Sequence, residues 1–372
     1  MTLAVHIVGA GPAGCATALS LQKSAKELEQ DISISLIMPN EKGLPAIGET
    51  IPPAASERLN ELGLAHLLND GHLECPGSIS IWGNEEPGYN DLFFTPVGKG
   101  YHLDRNYFNS QMLEACRLSG IELLSESKVV DVTMEKSNCV LTLNNNGQSR
   151  AVHSDFVVDA SGIQASIARK LGTARNEYDS VISLCAFYDA PKLNHARAHT
   201  LVSTAKNGWW YATRLPTGQV LVSMCTDVQT LKQEILDNPN NWFNQFKKSG
   251  WFYQTCKEHF QSDFIPPKQL HTRVAPSAIL SNCIGKQWLA VGDAASSYDS
   301  MTSAGITKAL DHGLYAGKAI ANILIKNCKN ELKEYQQRIF DDFNQYLKLH
   351  QQLYMAEKRY PDSSFWQRRM LG

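Results

Sequence analysis

The chain has 372 residues, 43% of them hydrophobic and 19% charged, which is long enough for two units around separate cores. A formal net charge of −2 gives no electrostatic reason to expect nucleic acid or an anionic membrane as partner, and no apolar run approaches a membrane span. Nine cysteines without CxxC spacing read as reduced thiols of a cytoplasmic protein and argue against a disulfide framework or a metal site.

The N-terminus lacks a basic n-region and reads as a first strand rather than a signal peptide. The apolar run Leu3 to Val8 meets Gly9-Ala10-Gly11-Pro12-Ala13-Gly14 and then a stretch with helical periodicity. Strand, GxGxxG and helix in that order is the context a dinucleotide fingerprint requires. Gly9 makes the turn, Gly11 lets backbone approach a pyrophosphate, and Gly14 lets helix and strand pack closely. The helix N-terminus then faces the phosphates. One part of the pattern is missing. The second strand, Asp31 to Ile37, runs on into Met38-Pro39-Asn40, where an acid some 20 residues past the glycines usually holds the ribose. Asn40 carries no charge, so either adenosine binding is weaker than usual or another residue holds the ribose.

Three further segments carry chemistry. Ile47-Gly48-Glu49-Thr50-Ile51-Pro52 is a compact loop. Asp159-Ala160-Ser161-Gly162 follows the apolar strand Phe156 to Val158. Val291-Gly292-Asp293 ends another strand and leads through small residues into a helix expected over Thr302 to Ile325. "DASGIQASIAR" and "WLAVGDAA" resemble the DG and GD motifs of the FAD-dependent aromatic hydroxylases and of the tryptophan halogenase-like flavoproteins. The Gly48-Glu49-x-x-Pro52 loop resembles the flavin-covering loop of the halogenase branch. The resemblance spans nearly the whole chain. It implies a mixed α/β fold: a Rossmann-like FAD-binding domain of the glutathione reductase/aromatic hydroxylase type, with a β-sheet substrate domain and a helical C-terminus. The FAD-binding domain is expected over 1–75, 101–178 and 272–330. The substrate domain is expected over 76–100 and 179–271, with helices near Leu231 to Gln261, and a helical cap over 331–372.

The resemblance also implies roles. Gly9, Gly11, Pro12, Ala13 and Gly14 would hold the FAD pyrophosphate, and Arg105 the phosphates or ribityl. Val129 would contact adenine through its backbone. Asp159 belongs to the DG motif, and Gly292 and Asp293 would receive the ribityl hydroxyls. Glu49, Thr50, Ser303, Gly305 and Ile306 would lie against the isoalloxazine, with the helix N-terminus facing the anionic reduced ring. On the substrate side stand Trp82, Trp209, Trp210, Tyr211, His102 and His199. Strand core is the ordinary reading for each aromatic alone, but together near a flavin they suit an aromatic substrate, with Trp82, Trp210 and Tyr211 as contacts.

Three chemistries use such a scaffold: oxygen insertion through a flavin C4a-hydroperoxide, halogenation, and isoprenoid reduction. Tryptophan halogenases carry a lysine beyond the flavin loop and a glutamate before a serine near the flavin. Here Glu74 to Gly83 has no lysine, and Thr302 precedes Ser303. Isoprenoid reduction calls for an apolar tunnel rather than tryptophans. Oxygenation remains, with O2 as co-substrate and NAD(P)H or a separate reductase as electron donor.

The loop, "SIWG", "GWWY" and the "FWQRR" end look most like the LodB/GoxB-type modifying enzymes of cysteine tryptophylquinone maturation. That likeness implies hydroxylation of a tryptophan in a precursor quinoprotein oxidase, the protein partner. The C-terminal residues Lys358, Arg359, Tyr360, Trp366, Arg368 and Arg369 either offer a docking surface for it or simply cap the fold. A small-molecule aromatic hydroxylase or halogenase of the same fold is the alternative, as is a flavin-binding maturation chaperone. Glu49 is the best single candidate for a catalytic base; shaping its loop is the competing role. Glu49→Gln is expected to slow oxygen transfer while FAD stays bound, and unchanged turnover in a stopped-flow assay would reject the base.

Overall fold

A computed structural model describes residues 2–39, 47, 50–92, 98–191, 198–328 and 330–370. Glu49, Gly48 and Asn40 lie outside the described residues. The Leu3–Val8 strand is apolar nearly throughout, as a strand covered on both faces must be. It lies inside a six-stranded sheet in the order Ile284–Gly285, Trp288–Ala290, Phe156–Asp159, Leu3–Val8, Ile32–Ile37, Glu122–Leu124. All neighbours run parallel except the Ile284–Gly285 edge.

The Pro12–Glu27 helix follows the first strand, with proline at its start, where a missing N–H costs nothing. It packs against the Gly305–Lys326 helix, three residues later in starting than expected. Their contact is closer than side chains allow. A Cβ on Gly313 would lie 2.5 Å from Ala16 Cβ, and one on Gly317 2.5 Å from the amide of Leu21. The GxGxxG turn is equally tight. Gly9 has φ +111°, and a Cβ there would sit 2.2 Å from the carbonyl oxygen of Ala160; one on Gly14 would sit 2.0 Å from that of Gly9. Only glycine fits these places.

A second, eight-stranded sheet runs Ser296–Ser297, His271–Leu280, Arg175–Asp189, Gln219–Asp227, Gly208–Arg214, Thr200–Ala205, Gly77–Ile81, Gly88–Asp91. It takes His271–Leu280 and Ser296–Ser297 from the stretch expected in the nucleotide unit, so the two units share a seam. The helices Val228–Glu234, Pro239–Lys248 and Trp251–Phe260 cover one face. Trp242, Phe246, Phe252 and Phe260 from these helices are all fully buried there, against Trp210.

The C-terminus ends in the helices Glu331–Ala356 and Ser364–Met370. Tyr346, His350 and Tyr354, four residues apart, form one buried face of the longer helix. Several side chains of the basic tail bond back to the fold. Arg369 donates to Asp179 at 2.7 and 2.8 Å and to Asp227 at 3.0 Å, Arg368 donates to Asp227 at 2.7 Å, and Trp366 Nε1 donates to the carbonyl of Ala205. Glu357 takes hydrogen bonds from Arg359, Thr204 and the amide of Gly83; they outweigh its burial and hold the carboxyl down at about 2. Lys358 alone of the six residues is exposed without such a bond to the fold among those described. These bonds fit a capping role for the tail, with Lys358 and Arg368 still exposed.

His350 sits 3.4 Å from Asp179 and 3.5 Å from Asp299. Burial pushes its imidazole down, but the two carboxylates outweigh burial and raise it to about 9. A raised histidine stabilises the fold fully below its ordinary value of 6.5, and the contribution is lost as pH rises through about 9. Removing Arg369 leaves Asp179 and Asp227 short of a cation. Arg369→Ala is expected to lower unfolding free energy by about 3–5 kcal/mol, read by chemical denaturation; an unchanged midpoint would show that the pairs contribute nothing.

Candidate flavin site

The seam between the two sheets holds a cavity of about 360 Å³. Gly11, Pro12 and Ala13 line it from the start of the first helix, and Ser303, Gly305 and Ile306 from the start of the Gly305–Lys326 helix. No side chain caps either helix. Their first-turn amides are therefore available to anionic oxygens on a ligand. Gly11 has open space where a Cβ would be, which leaves room for close approach of a phosphate. Ser303 holds a left-handed backbone at φ +49°, unusual for a residue other than glycine. Ile47, Thr50, Arg105 and Asp293 complete this half of the wall. The groups fit a dinucleotide with a ribityl chain: two helix N-termini and an arginine as donors, and the Asp293 carboxylate as an acceptor.

Asp293 is the charged centre of that half. Its carboxylate receives Lys308 Nζ at 2.7 Å. The lysine is fully buried and also donates to the carbonyl of Ser296, and its ammonium lies 4.2 Å from the centre of the Tyr298 ring. Burial pulls the Lys308 amine down, and Asp293 opposes that shift. Arg175 donates to the backbone carbonyl of Asp293 at 3.2 Å and to Ser297 Oγ at 2.7 Å. Behind the loop, the Asp299 amide donates to Tyr346 Oη, Tyr354 Oη donates to the Asp299 carboxylate at 2.7 Å, and the Tyr298 and Tyr346 rings stack 4.1 Å apart. The segment that walls the cavity is thus pinned from its far side.

The other half of the cavity is the open face of the large sheet. Trp209 and Tyr211 point into it, with Ser183, Leu221, Ser223 and Cys225 as its floor and Arg273, Val274 and Ala275 at one side. Trp209 Nε1 donates to Tyr354 Oη at 3.2 Å, which links this wall to Asp299.

Several expected positions fall elsewhere. Trp210, expected against substrate, faces the opposite side of the sheet and packs on Trp242 at 5.2 Å. Alternation along the strand turns its neighbours Trp209 and Tyr211 to the cavity instead. Trp82 does not reach the cavity either. It donates Nε1 to the carbonyl of Leu353 and packs behind Trp209 at 6.2 Å. Asp159 is turned into the protein: its carboxylate accepts from Ser161 and from the amides of Ile167 and Ala168 at 2.9 and 2.8 Å, so it caps a short helix. Burial raises its pKa. Gly9, Gly14 and Gly292 act through close packing, Gly292 at φ +58° with its Cβ place 2.6 Å from Ala13 Cβ. Val129 is buried within the Ser127–Met134 strand, outside the cavity wall. Lys308, Arg175 and Asp299 were not foreseen. The helix of Lys308 also carries Lys318, so the sequence holds no signal that singles out Lys308.

The tryptophan halogenase family model matches residues 84–370. The chain belongs to that family and so to the FAD-dependent oxidoreductases. It is 27% identical over 366 residues to the putative FAD-dependent oxidoreductase LodB of Marinomonas mediterranea, covering 98% of this chain and 95% of that one. Among solved structures it resembles the myxobacterial chondrochloren halogenase CndH, with TM-score 0.84 and 19% identity over 99% of this chain and 86% of the other. It also resembles QhpG, described as a peptidyl tryptophan dihydroxylase essential for tryptophylquinone cofactor biogenesis, with TM-score 0.77 and 21% identity over 99% and 79%. The described residues include no helix long and apolar enough to cross a membrane.

Lys308→Met would leave Asp293 without its buried cation. FAD binding is expected to weaken roughly ten- to a hundredfold, the worth of a hydrogen bond to a charged group. Titration of the apoprotein by flavin fluorescence measures this, and wild-type affinity in the variant would remove Lys308 from the site.

Proposed function

We propose that this protein is an FAD-dependent monooxygenase that hydroxylates a tryptophan side chain of a partner protein, a precursor quinoprotein oxidase, during cysteine tryptophylquinone biogenesis. The observation that carries this reading is the aromatic wall of Trp209 and Tyr211 placed in one cavity with the Gly305–Lys326 helix N-terminus and Asp293. An indole fits such a wall by offset or edge-to-face packing. The likeness to LodB and to QhpG, a peptidyl tryptophan dihydroxylase, supports a protein-bound substrate.

Residue roles follow from position. Gly11, Pro12, Ala13 and Arg105 hold the pyrophosphate, with Gly9 and Gly14 closing the turn beneath it. Asp293, kept in place by Lys308, receives the ribityl hydroxyls. The backbone of Ser303, Gly305 and Ile306 meets the ring, and Thr50 closes over it. Reduced FAD, when bound, supplies the electrons that activate O2 and directs one oxygen atom to the substrate ring; NAD(P)H or a separate reductase supplies them in turn. Ser183, Ser223 and Cys225 are small and leave the floor of the cavity to the substrate. Among the described residues that line the cavity there is no lysine, which disfavours a halogenating site.

The deciding experiment is peptide mass spectrometry of a quinoprotein precursor co-expressed with this chain. Oxygen is expected on one tryptophan, and none with Asp293→Ala. A precursor left unmodified by flavin-loaded protein would remove the peptidyl reading, and a bromide-dependent product would replace it with halogenation.

A further inference from the structure

We propose that Tyr211, Thr50 and His102 form a proton relay, entered at Tyr211, that carries away the hydrogen ion the substrate ring releases as it is hydroxylated. The inference rests on the hydroxylation reading above. It names a proton acceptor for the cavity from among the described residues.

Tyr211 and Thr50 both line the cavity. Tyr211 Oη lies 2.8 Å from Thr50 Oγ1, and Thr50 Oγ1 lies 2.9 Å from His102 Nδ1. Thr50 and His102 are direct cross-strand partners, so the sheet fixes their spacing. His102 is fully buried, and its Nε2 lies 2.5 Å from the carbonyl oxygen of Ala198. A carbonyl only accepts, so Nε2 carries the proton and Nδ1 is the acceptor in the neutral ring. Burial, reinforced by His199, holds the imidazole neutral and moves it down to about 4, against the pull of the Ala198 carbonyl. The lone pair of Nδ1 therefore faces the hydroxyl of Thr50, and Thr213 Oγ1 lies 3.1 Å from the same nitrogen.

The atoms balance. A carbon–oxygen bond forms on the ring as the oxygen–oxygen bond breaks, and the ring becomes a cation that must lose H⁺ from the same carbon. That cation is a far stronger acid than a buried imidazolium, so even a depressed histidine takes its proton. Tyr211 accepts it on Oη while giving its own proton to Thr50, and Thr50 gives its own to His102 Nδ1. The same path returns the proton to the second oxygen atom, which leaves as water. Over one turnover two electrons and two protons, from reduced FAD and solvent, convert C–H and O2 to C–OH and water.

The test is single-turnover product formation by pre-reduced holoenzyme mixed with O2 and the precursor protein, in H2O and D2O. Tyr211→Phe and Thr50→Val should form product about a hundredfold more slowly, within the usual range for general acid–base catalysis, and should lose the solvent isotope effect. Thr50→Ser should restore both. In ¹⁵N-histidine spectra of the holoenzyme, His102 should be the Nε2-protonated neutral form, and Tyr211→Phe should shift its Nδ1 resonance. Product from wild type together with equal rates in the variants, or an Nδ1 resonance blind to Tyr211→Phe, overturns the relay alone. No product from wild type overturns the hydroxylation reading and the relay with it.

Discussion

The architecture depends on how closely two helices approach. The Pro12–Glu27 and Gly305–Lys326 helices touch where Gly313 and Gly317 leave no side chain, and Ala16 and the backbone near Leu21 fill the space. Both helices start at the cavity and have no side-chain cap. Their axes bring two sets of unpaired amides to one chamber, so the positive ends of two dipoles act on one ligand. A methyl group at either glycine would wedge the helices apart and separate those ends. The chemistry of the site is thus set by packing some way from the chamber itself.

The second determinant is a set of buried charges that ties the chain end to the site. Arg369 joins Asp179 and Asp227, His350 lies between Asp179 and Asp299, and Tyr354 joins Asp299 to Trp209. Buried pairs of this kind are weak evidence for stability, since replacing all partners with apolar groups often costs little. Their value here is positional. They hold the loop from Asp299 to Ser303, including the left-handed backbone of Ser303, in one place.

The nucleotide half was largely legible in the sequence because its signals are local. Gly9 to Gly14 and Val291 to Asp293 each combine a strand end, a turn and a helix start within a few residues. The substrate half was not. The Gly208–Arg214 strand is buried on both faces, so no polar alternation distinguishes Trp210 from Trp209, and only the covering helices decide which tryptophan meets the cavity. Asp159 looked like a ligand residue because its motif is local, yet its partners Ile167 and Ala168 are amides that sequence does not advertise. The basic tail misled for a different reason. Its carboxylate partners Asp179 and Asp227 lie more than a hundred residues away, and charge complementarity at that range leaves no pattern to read.

The pinning of the Asp299 loop by Tyr346, His350 and Tyr354 has a consequence for biosynthesis. The glycine turn leaves the ribosome early, while the groups that hold the opposite wall of the chamber come from the Glu331–Ala356 helix, far later in the chain. Domains tend to form as they are made, N-terminal parts first. This chamber takes its final shape only once the Glu331–Ala356 helix has been made and has docked, so stable loading of a cofactor follows that step.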